Sequence, residues 1–446
     1  MTMLLIHDLG TSAGRTAFEA RLERLCETTS ARDESAATVA HIIDDVRQHG
    51  DEAVVRYMRK WTDPQFTVDR IRVPPEDLDA AVDQIEPRLK EAIAAAIDHV
   101  RTYQMHIKPS DPGQTIIDGA ELGLRFTPVD SVALTVPGGT AVLFSTLIML
   151  AVPAHVAGVD PKQMVVLNPP PTRAGGRATG DISPIVQATC SMLGIEKLYR
   201  IGGAQGVAAV AWGTECVDRV QMVAGPGNVF VQLAKTQLNG IVGTDGGFYG
   251  PSEITTIADQ SADPACIAAD LIAQAEHDPG RCFLIAWSRT VIDRIVAQIC
   301  SQLPNRRRRR AIESSLIGDS CAILVVSRDQ AINVANSIAC EHVHLAVSDP
   351  EAMAKQIRHA GEIFLGDRTP VAAGDYYAGP SHCLPTASTA RFASGISVYT
   401  FLKRSSTVRY RQGMSSATAE AIARLAEAEG LDGHADSARL RRTLRT

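Results

Sequence analysis

The chain has 446 residues, which suggests two or three domains at the usual size of globular domains. It is 45% hydrophobic, 21% charged and 5% aromatic, so a disordered chain, a collagen-like repeat and a small disulfide scaffold are excluded. The net charge of −6 gives no basic footprint for nucleic acid. The nine cysteines are odd in number and form no CxxC pair, so they are predicted to be reduced, mostly buried thiols of a cytoplasmic protein.

Apolar periodicity predicts a helix near the N-terminus, followed by alternating strands and helices. Leucine, isoleucine and valine recur at helical spacing within residues 80–103, and Pro87 suits a helix start. After the polar segment 108–123, the predicted strands are 131–136, 164–168, 197–201 and 219–223. The predicted helices between and after them are 141–159, 182–193, 206–212 and 229–238. Continuous apolar strands separated by helices indicate a parallel sheet covered on both faces.

Residues 141–159 form the one long uncharged stretch, which is about long enough to cross a membrane. Polar residues and Pro153 interrupt it and no basic flank follows, so we expect a buried helix. The N-terminal sequence MTMLLIHDLG has no basic region, and its apolar run is too short for a signal peptide.

A second series of strands and helices follows the first. Its predicted strands are 253–259, 281–287, 321–326 and 362–366, and its predicted helices are 264–275, 291–302, 331–338 and 350–359. We infer a second α/β unit that is completed by N-terminal residues, so that the first unit is an insertion in it. A helix at 416–429, stopped by Gly430, ends the pattern.

Glycine-rich segments follow three strands of the first unit: VPGGTA (136–141), IGGAQG (201–206) and VAGPGN (223–228). Parallel α/β sheets bind ligands at the carboxyl ends of their strands, where backbone N–H groups at helix starts favour phosphate. Each loop alone is equally well explained as a tight packing turn, and IGGAQG lacks the first glycine of a dinucleotide fingerprint. Three such loops together, with amides at Gln205 and Asn228, predict a nucleotide site.

Two segments combine histidine with carboxylate or amide side chains. Gln274 and His277 share one face at the end of a predicted helix. Glu341 and His342 are neighbours, and in a regular strand they point to opposite faces, so a common site requires a bend or a helix start. His342 and His344 are an alternative HxH metal pair on one strand. The simpler interpretation of Gln274 and His277 is an ordinary polar cluster at a helix end. The simpler interpretation of His342 and His344 is that one histidine is buried and the other is exposed.

Three further segments are less specific. Asp375 and His382 lie in a glycine- and proline-rich segment, and Glu429 and His434 flank a helix stop, where turn chemistry alone explains such residues. The run Arg306–Arg310 is either an anion-binding patch or a solvated helix start, and we favour the second. The residues alone therefore indicate an enzyme that uses a metal or a nucleotide.

Nine segments, in order, resemble the histidinol dehydrogenase family from about residue 115 to the C-terminus. They are VPGGTAVLFSTLIMLAVPAHVAGV, GGAQGVAAVAWGTE, GPGNVFVQLAK, GPSEI, DLIAQAEHD, EHVHL, GDYYAGPSHCLPT, ARFASGISVYTFLKR and EGLDGHA. The resemblance implies an NAD-dependent enzyme with one Zn²⁺ per subunit that oxidises L-histidinol through L-histidinal to L-histidine, the end of histidine biosynthesis.

The resemblance also implies a role for each matching residue. The acid–base pair falls on Glu341 and His342. The zinc ligands fall on Gln274, His277, Asp375 and His434. The substrate contacts fall on these four ligands together with Ser252, Glu341, His382 and Glu429. The cofactor-binding positions fall on Thr135, Gln205 and Asn228.

The implied fold class is α/β, with two large doubly wound Rossmann-like domains, one inserted in the other, plus small terminal pieces. The expected division is an N-terminal arm (1–24), a discontinuous domain (25–130 and 254–396), an inserted nucleotide-binding domain (131–253) and a C-terminal helical tail (397–446). In the family the tail reaches the partner of a homodimer, so His434 is expected to complete the other subunit's site. No nucleic-acid or membrane partner is expected.

Several residues depart from the family pattern. Thr135 stands where tyrosine is usual before VPGG, and the approach to GPSE over residues 244–250 is one residue longer than usual. These changes leave a second hypothesis, a related zinc- and NAD-dependent dehydrogenase of another small polar alcohol such as a sulfonated diol. A cofactor-free binding protein and a metal hydrolase built on Glu341, His342 and His344 are further alternatives. The retained acid–base pair disfavours the binding protein, and the three glycine loops disfavour the hydrolase.

Overall fold

The structure, a computed structural model, describes residues 3–27, 33–138, 142–171, 180–277 and 279–442. The strands in chain order are β1 (Leu5–Asp8), β2 (Thr115–Ile117), β3 (Ala120–Pro128), β4 (Val132–Thr135), β5 (Met164–Leu167), β6 (Lys197–Tyr199), β7 (Met222–Ala224), β8 (Gly243–Thr244), β9 (Ser252–Ala258), β10 (Gly280–Ala286), β11 (Cys321–Leu324), β12 (His342–Ala346), β13 (Glu362–Leu365) and β14 (Leu402–Arg409).

The helices surround these strands. In chain order they are α1 (Ser12–Glu27), α2 (Asp33–Trp61), α3 (Pro75–Val82), α4 (Pro87–Ile107), α5 (Phe144–Ala157), α6 (Pro184–Met192), α7 (Gly203–Trp212), α8 (Val229–Gln237), α9 (Pro264–Ala275), α10 (Arg289–Gln302), α11 (Arg309–Ile317), α12 (Arg328–Ile338), α13 (Pro350–Ala354), α14 (Val371–Tyr376), α15 (Ser416–Ala428) and α16 (Asp432–Arg439).

Six parallel strands form the larger sheet, in the order β1-β11-β10-β9-β12-β13. Its central strands β10 and β12 are buried along their whole length, as expected of parallel strands covered on both faces. Separate apolar cores cover its two faces, one built with α9 and α10 and the other with α1 and α12. The predicted parallel sheet of the second unit is confirmed.

Five parallel strands form the second sheet, in the order β6-β5-β4-β7-β8. Helix α5 covers one face, and nearly all of its side chains are buried. It ends at Gly158, whose φ of 118° favours glycine. Residues 141–159 therefore contain the buried helix that was predicted, and no helix among the described residues is long and apolar enough to span a membrane.

The N-terminal residues pack differently from the predicted division. Residues 25–130 were assigned to the unit of the larger sheet, but α2, α3 and α4 pack into the two cores of the five-stranded sheet. Residue Arg72 also forms an antiparallel bridge to Tyr199 at the edge of that sheet. The reason is apolar surface: Ile42 and Met58 cover one face of the five-stranded sheet, and Ile93 belongs to the core on the other face.

Both terminal pieces also contain strands. The N-terminal arm, residues 1–24, supplies β1, which pairs in parallel with β11 at the edge of the larger sheet. The tail from residue 397 is not wholly helical, because β14 pairs with β3 in a three-stranded antiparallel sheet before α15 and α16 begin. Of the eight cysteines whose side chains are described, all are free thiols, and five are buried: Cys190, Cys282, Cys321, Cys340 and Cys383.

Candidate functional site

A cavity of about 640 Å³ lies at the carboxyl ends of β4, β5, β6 and β7. A cavity of this size suits a small-molecule ligand or cofactor. All three glycine loops line it with their described residues, through Gly138, Gly202 and Gly227. Residues 139–141 of the first loop lie outside the described residues. Thr135, Gln205 and Asn228, the predicted cofactor-binding residues, line the same cavity.

Two helix N-termini face this cavity. Helix α7 follows Gly202, and α8 follows Asn228, whose Oδ1 accepts hydrogen bonds from the backbone N–H groups of Phe230 and Val231 at 3.1 and 3.2 Å. Unpaired N–H groups and the helix dipole give such ends a partial positive charge that favours phosphate oxygens. Asn228 is thus the N-cap of α8, a role that the sequence analysis missed.

Residues from the N-terminal helices complete the cavity wall. Thr38, Met58 and Trp61 line it from α2, and the Gln205 Nε2 lies 3.5 Å from the Met58 sulfur. The sequence analysis missed this contribution. No motif marks it, because α2 lies far from the glycine loops in sequence and meets them only through tertiary packing.

A second cluster lies at the amino ends of β9 and β12 in the larger sheet. Glu341 Oε2 accepts hydrogen bonds from the Ser252 hydroxyl at 2.6 Å and from the Glu253 backbone N–H at 2.8 Å. The Gln274 Nε2 donates to the Ser252 Oγ at 2.6 Å, so its Oε1 is left for another partner. Glu341 directly precedes β12 and therefore escapes the strand alternation that separates neighbouring side chains.

The carboxyl of Glu341 holds a proton more readily than that of an exposed glutamate, because its pKa is raised. The side chain is buried, and this desolvation raises the pKa of Glu341 well above its usual value, with Glu253 and Asp375 adding to the shift. The hydrogen bonds from Ser252 and the Glu253 N–H act in the opposite direction. Burial is the larger effect.

The ring of His342 is held in one orientation and one tautomer. Its Nδ1 lies 3.1 Å from the Glu253 carbonyl, which only accepts, so Nδ1 carries the proton. Its Nε2 is buried, has no hydrogen-bond partner among the described residues and lies 3.7 Å from the Asp375 carboxylate. Burial lowers the pKa of His342, while Asp375 acts to raise it. The ring therefore offers a neutral nitrogen with a free lone pair.

Two predicted zinc ligands, His277 and Asp375, and the predicted substrate contact His382 approach the same cleft from different elements. His277 follows α9, and the surrounding protein lowers its pKa while the charge of Asp375 opposes this, although the ring remains accessible to solvent. Asp375 comes from α14. His382 donates from Nδ1 to the Asp375 carbonyl at 2.7 Å, and its Nε2 accepts from the Thr146 hydroxyl at 3.1 Å.

The cluster does not lie at the carboxyl ends of the strands, where parallel α/β sheets bind nucleotides. It lies at the amino ends of the strands, where α9 ends at Ala275. The carboxyl end of a helix carries partial negative charge and favours cations. Thr146 lies in the first turn of α5, so its contact with His382 joins this cluster to a helix of the five-stranded sheet.

Other predicted residues lie apart from the cluster. Among the described residues, the side chains of Glu429 and His434 are exposed and make no hydrogen bond or ion pair with it. His344 is buried on the same strand face as His342, but its Nε2 bonds the Gly366 carbonyl at 2.9 Å. The residues described include no group of three histidine, cysteine, aspartate or glutamate side chains placed to hold a metal.

The arginine run is largely a solvated surface, as favoured above. Arg309 pairs with Glu313 at 2.8 Å on α11, and Arg306 bonds Gln302 at 3.1 Å. Arg308 is half-buried and its charge adds to the lowering of the pKa of His277.

The sequence analysis also missed Glu253 and Arg281, register partners on β9 and β10 that form a buried ion pair at 2.9 Å.

Comparison with known proteins gives a consistent family. The histidinol dehydrogenase family model matches residues 26–442. The histidinol dehydrogenases of Thermosynechococcus vestitus and Desulfotalea psychrophila are 42% and 41% identical, over 96% and 97% of this chain and 97% and 98% of their own. A crystal structure of histidinol dehydrogenase from Elizabethkingia anophelis superposes with a TM-score of 0.89 at 28% identity, covering 99% of this chain and 98% of that one. The chain therefore belongs to the histidinol dehydrogenase family of NAD-dependent oxidoreductases.

Proposed function

We propose that this protein is an L-histidinol dehydrogenase that converts L-histidinol through L-histidinal to L-histidine. The observation that carries the proposal is the meeting of Glu341 and His342, two proton acceptors with different environments, in one cleft that His382 joins to Thr146 of α5. An alcohol oxidation and an aldehyde oxidation each release protons, and a pair of bases suits the two steps.

His342 is the base for the alcohol step in this proposal. Its Nε2 carries a lone pair and has no protein partner among the described residues, so it is free to accept the proton of a substrate hydroxyl. The Glu253 carbonyl keeps the ring from rotating by holding Nδ1–H at 3.1 Å. A preoriented neutral imidazole near its working pH is an efficient proton acceptor.

Glu341 is the base for the aldehyde step. The aldehyde must gain a water before a second oxidation, and the carboxylate of Glu341 can take the proton of that water. Its raised pKa makes the carboxylate a stronger base than that of an exposed glutamate. Ser252 and the Glu253 N–H keep the carboxylate facing the cleft at 2.6 and 2.8 Å.

The donor set fits a zinc ion that orients substrate. Gln274 Oε1, the His277 ring and the Asp375 carboxylate make no hydrogen bonds among the described residues and reach the same cleft, and the end of α9 favours a cation. A mixed set of nitrogen and oxygen donors with room for substrate is typical of an open zinc site. When bound, zinc would hold the imidazole and amino groups of histidinol. His434, the fourth ligand that the family resemblance implies, is exposed and lies apart from this cluster, so in this proposal it comes from the partner subunit.

NAD is the proposed hydride acceptor, bound in the cavity at the five-stranded sheet. The N-termini of α7 and α8 favour its pyrophosphate, and Gln205 and Asn228 offer amide groups to it. Thr135 lines the cavity, but its hydroxyl donates to backbone carbonyls.

We also propose a homodimer with shared sites and a cytoplasmic location. Glu429 and His434 are exposed on the tail of the chain that carries them, which suits a contribution to a second subunit. An NAD-dependent step of amino-acid biosynthesis draws on the cytoplasmic NAD pool, and free buried thiols suit that compartment.

The direct test is turnover of L-histidinol by zinc-loaded protein with NAD. We expect two NADH for each histidine formed, followed by absorbance and by amino-acid analysis. Turnover of another small polar alcohol, with none for histidinol, would contradict the proposed substrate. NADH formed without histidine would contradict the second oxidation and the assigned role of Glu341.

A further inference from the structure

The loop Gly225–Asn228, which joins β7 to α8 and lines the cofactor cavity, is held by side chains from three segments. The Gly225 N–H donates to Asp245 Oδ2 at 2.7 Å, and the Gly225 carbonyl accepts from the Lys235 Nζ at 3.0 Å. The backbone N–H and the backbone carbonyl of Gly225 are thus bound by side chains of opposite charge. Gly225 itself has a φ of 114°, a conformation that other residues rarely adopt.

Thr135 holds the same loop from β4. Its hydroxyl lies 2.8 Å from the Pro226 carbonyl and 3.2 Å from the Ala224 carbonyl, the two residues that flank Gly225. A Cβ on Gly225 would lie 2.8 Å from the Thr135 Oγ1 and 2.7 Å from a Leu150 methyl. The loop therefore packs directly against Thr135, whose hydroxyl faces the loop backbone.

Lys235 and Asp245 form a buried ion pair behind the loop. Their side chains are 4% and 0% exposed, and Nζ lies 2.5 Å from the carboxylate. The ring of Tyr249 lies 5.1 Å from the Lys235 Nζ. Because two charges lose their hydration when buried, such a pair contributes little net stability compared with apolar residues. Its two bonds to Gly225 point instead to a role in fixing the geometry of the loop.

The same pair is connected by chain to the second cluster. Residues 245–252 run from Asp245 past Tyr249 to Ser252, which donates to Glu341. On the way the Gly250 N–H donates to the Thr386 hydroxyl at 2.7 Å. The two departures from the family pattern, Thr135 and the longer 244–250 segment, thus both lie against the cofactor loop.

We propose that Thr135, Lys235 and Asp245 are positioning residues that hold Gly225–Asn228 in the conformation that binds the dinucleotide. Thr135 acts through the loop: its hydroxyl holds the backbone that presents Gly227 and Asn228 to the ligand. This inference rests on the proposed use of NAD, and it assigns to the three residues an effect on cofactor affinity rather than on the oxidation itself.

The test compares two independent changes to the loop supports. Thr135→Val removes the hydroxyl at constant shape, and Lys235→Met combined with Asp245→Asn removes both charges without leaving one unpaired. NAD⁺ binding is measured by titration calorimetry, and KM and kcat are measured for NAD⁺ and for L-histidinol. We expect the Kd and KM for NAD⁺ to rise roughly threefold to tenfold with Thr135→Val and by more with the paired change. The kcat at saturating NAD⁺ and the KM for L-histidinol should stay within about twofold, since neither residue set contacts the substrate cluster.

Lys162→Met is the matched control, because Lys162 forms an exposed pair with Glu196 at 3.4 Å, away from the cavity. Thermal unfolding of each variant shows whether it is folded. Unchanged NAD⁺ affinity in a folded Thr135→Val protein overturns the inference, and so does a fall in kcat with constant affinity. Weaker NAD⁺ binding in the variants of a protein that never oxidises L-histidinol contradicts the proposed substrate and leaves the loop inference supported.

Discussion

The ring of His342 is oriented before any substrate arrives, because its Nδ1–H is committed to the Glu253 carbonyl and only Nε2 remains free. We expect His342→Gln to lower kcat roughly 10²- to 10⁴-fold, the usual contribution of a general base. Zinc content should not change, since His342 is not among the proposed ligands. Steady-state kinetics and metal analysis of the same preparation check both expectations.

His344→Gln is the matched control for this variant. His344 is equally buried on the same face of β12, but it bonds the Gly366 carbonyl instead of facing the cleft. We expect this protein to retain its kcat. Equal losses of activity in the two variants would show that the assignment of the base to His342 is wrong.

Glu362 gives a pH-dependent contribution to stability. It lies opposite His342 in the register of β12 and β13, and burial together with the charge of Asp375 raises the pKa of Glu362 to about 7 from 4.5. The native state therefore keeps this proton where the unfolded chain has lost it, so stability falls as pH rises from 4.5 to about 7. The loss amounts to about 3 kcal/mol.

Glu362→Gln should remove this dependence. Urea unfolding of metal-free protein at pH 4.5, 6 and 7.5 compares the wild type with the variant, and only the wild type should lose the extra stability over this range. Parallel curves for the two proteins would contradict the protonated state of Glu362.

At the level of the elements, β9 and β10 are joined by a buried ion pair as well as by backbone hydrogen bonds. Arg281 and Glu253 are register partners, and Glu253 also accepts from the Ala387 N–H at 3.0 Å. Arg281→Met leaves the carboxylate buried without its partner charge, so we expect a loss of about 3–5 kcal/mol in the free energy of unfolding.

Combining Arg281→Met with Glu253→Gln should recover most of this loss, because no unpaired charge is left. Urea unfolding at pH 7 measures both proteins. If the double variant is as unstable as Arg281→Met alone, packing rather than charge explains the effect.

Helix and strand positions were predictable where apolar pattern and cap residues agree. Helix α9 has the predicted bounds, with Asp263 capping its first turn and Pro264 at its first position. The helix predicted at 350–359 is shorter than expected, because it ends at Ala354. Residues 80–103 contain parts of two helices, since the chain leaves the helical conformation before Pro87.

The polar residues of the site were visible in sequence, but their mutual arrangement was not. Glu341 and His342 meet because the strand begins between them, which no spacing rule indicates. Glu253 was hidden within an apolar strand. A glutamate and an arginine in two otherwise apolar strands are a usable signal of a buried pair, but the register that joins them depends on tertiary structure.

For the whole molecule, the exposed tail leads to a test of shared sites. If His434 serves the partner subunit, mixing His342→Gln subunits with His434→Ala subunits creates dimers with one intact site. After refolding or co-expression at equal amounts, half of the dimers are mixed and each has one working site of two, so activity should return to about one quarter of wild type. Activity assays before and after mixing measure this.

No recovery after mixing, with dimers verified by light scattering, would mean that His434 acts within its own chain, and full activity of unmixed His434→Ala dimers would mean that it has no role in the site. Glu429→Ala in place of His434→Ala should behave in the same way, because the two residues lie on the same exposed tail.

Helices α2, α3 and α4 pack on the five-stranded sheet. The smallest segment of this chain that could be exchanged with a related protein must therefore include them. A segment cut at residues 131 and 253 would carry the cofactor loops but would leave Ala133, Val165 and Leu167 without the Ile42 and Met58 that cover them. Such a graft would expose an apolar face and aggregate. A transplant beginning near residue 33 keeps the core that contains Ile42 and Met58, so in recombination between relatives the long N-terminal helices and the glycine loops must travel together.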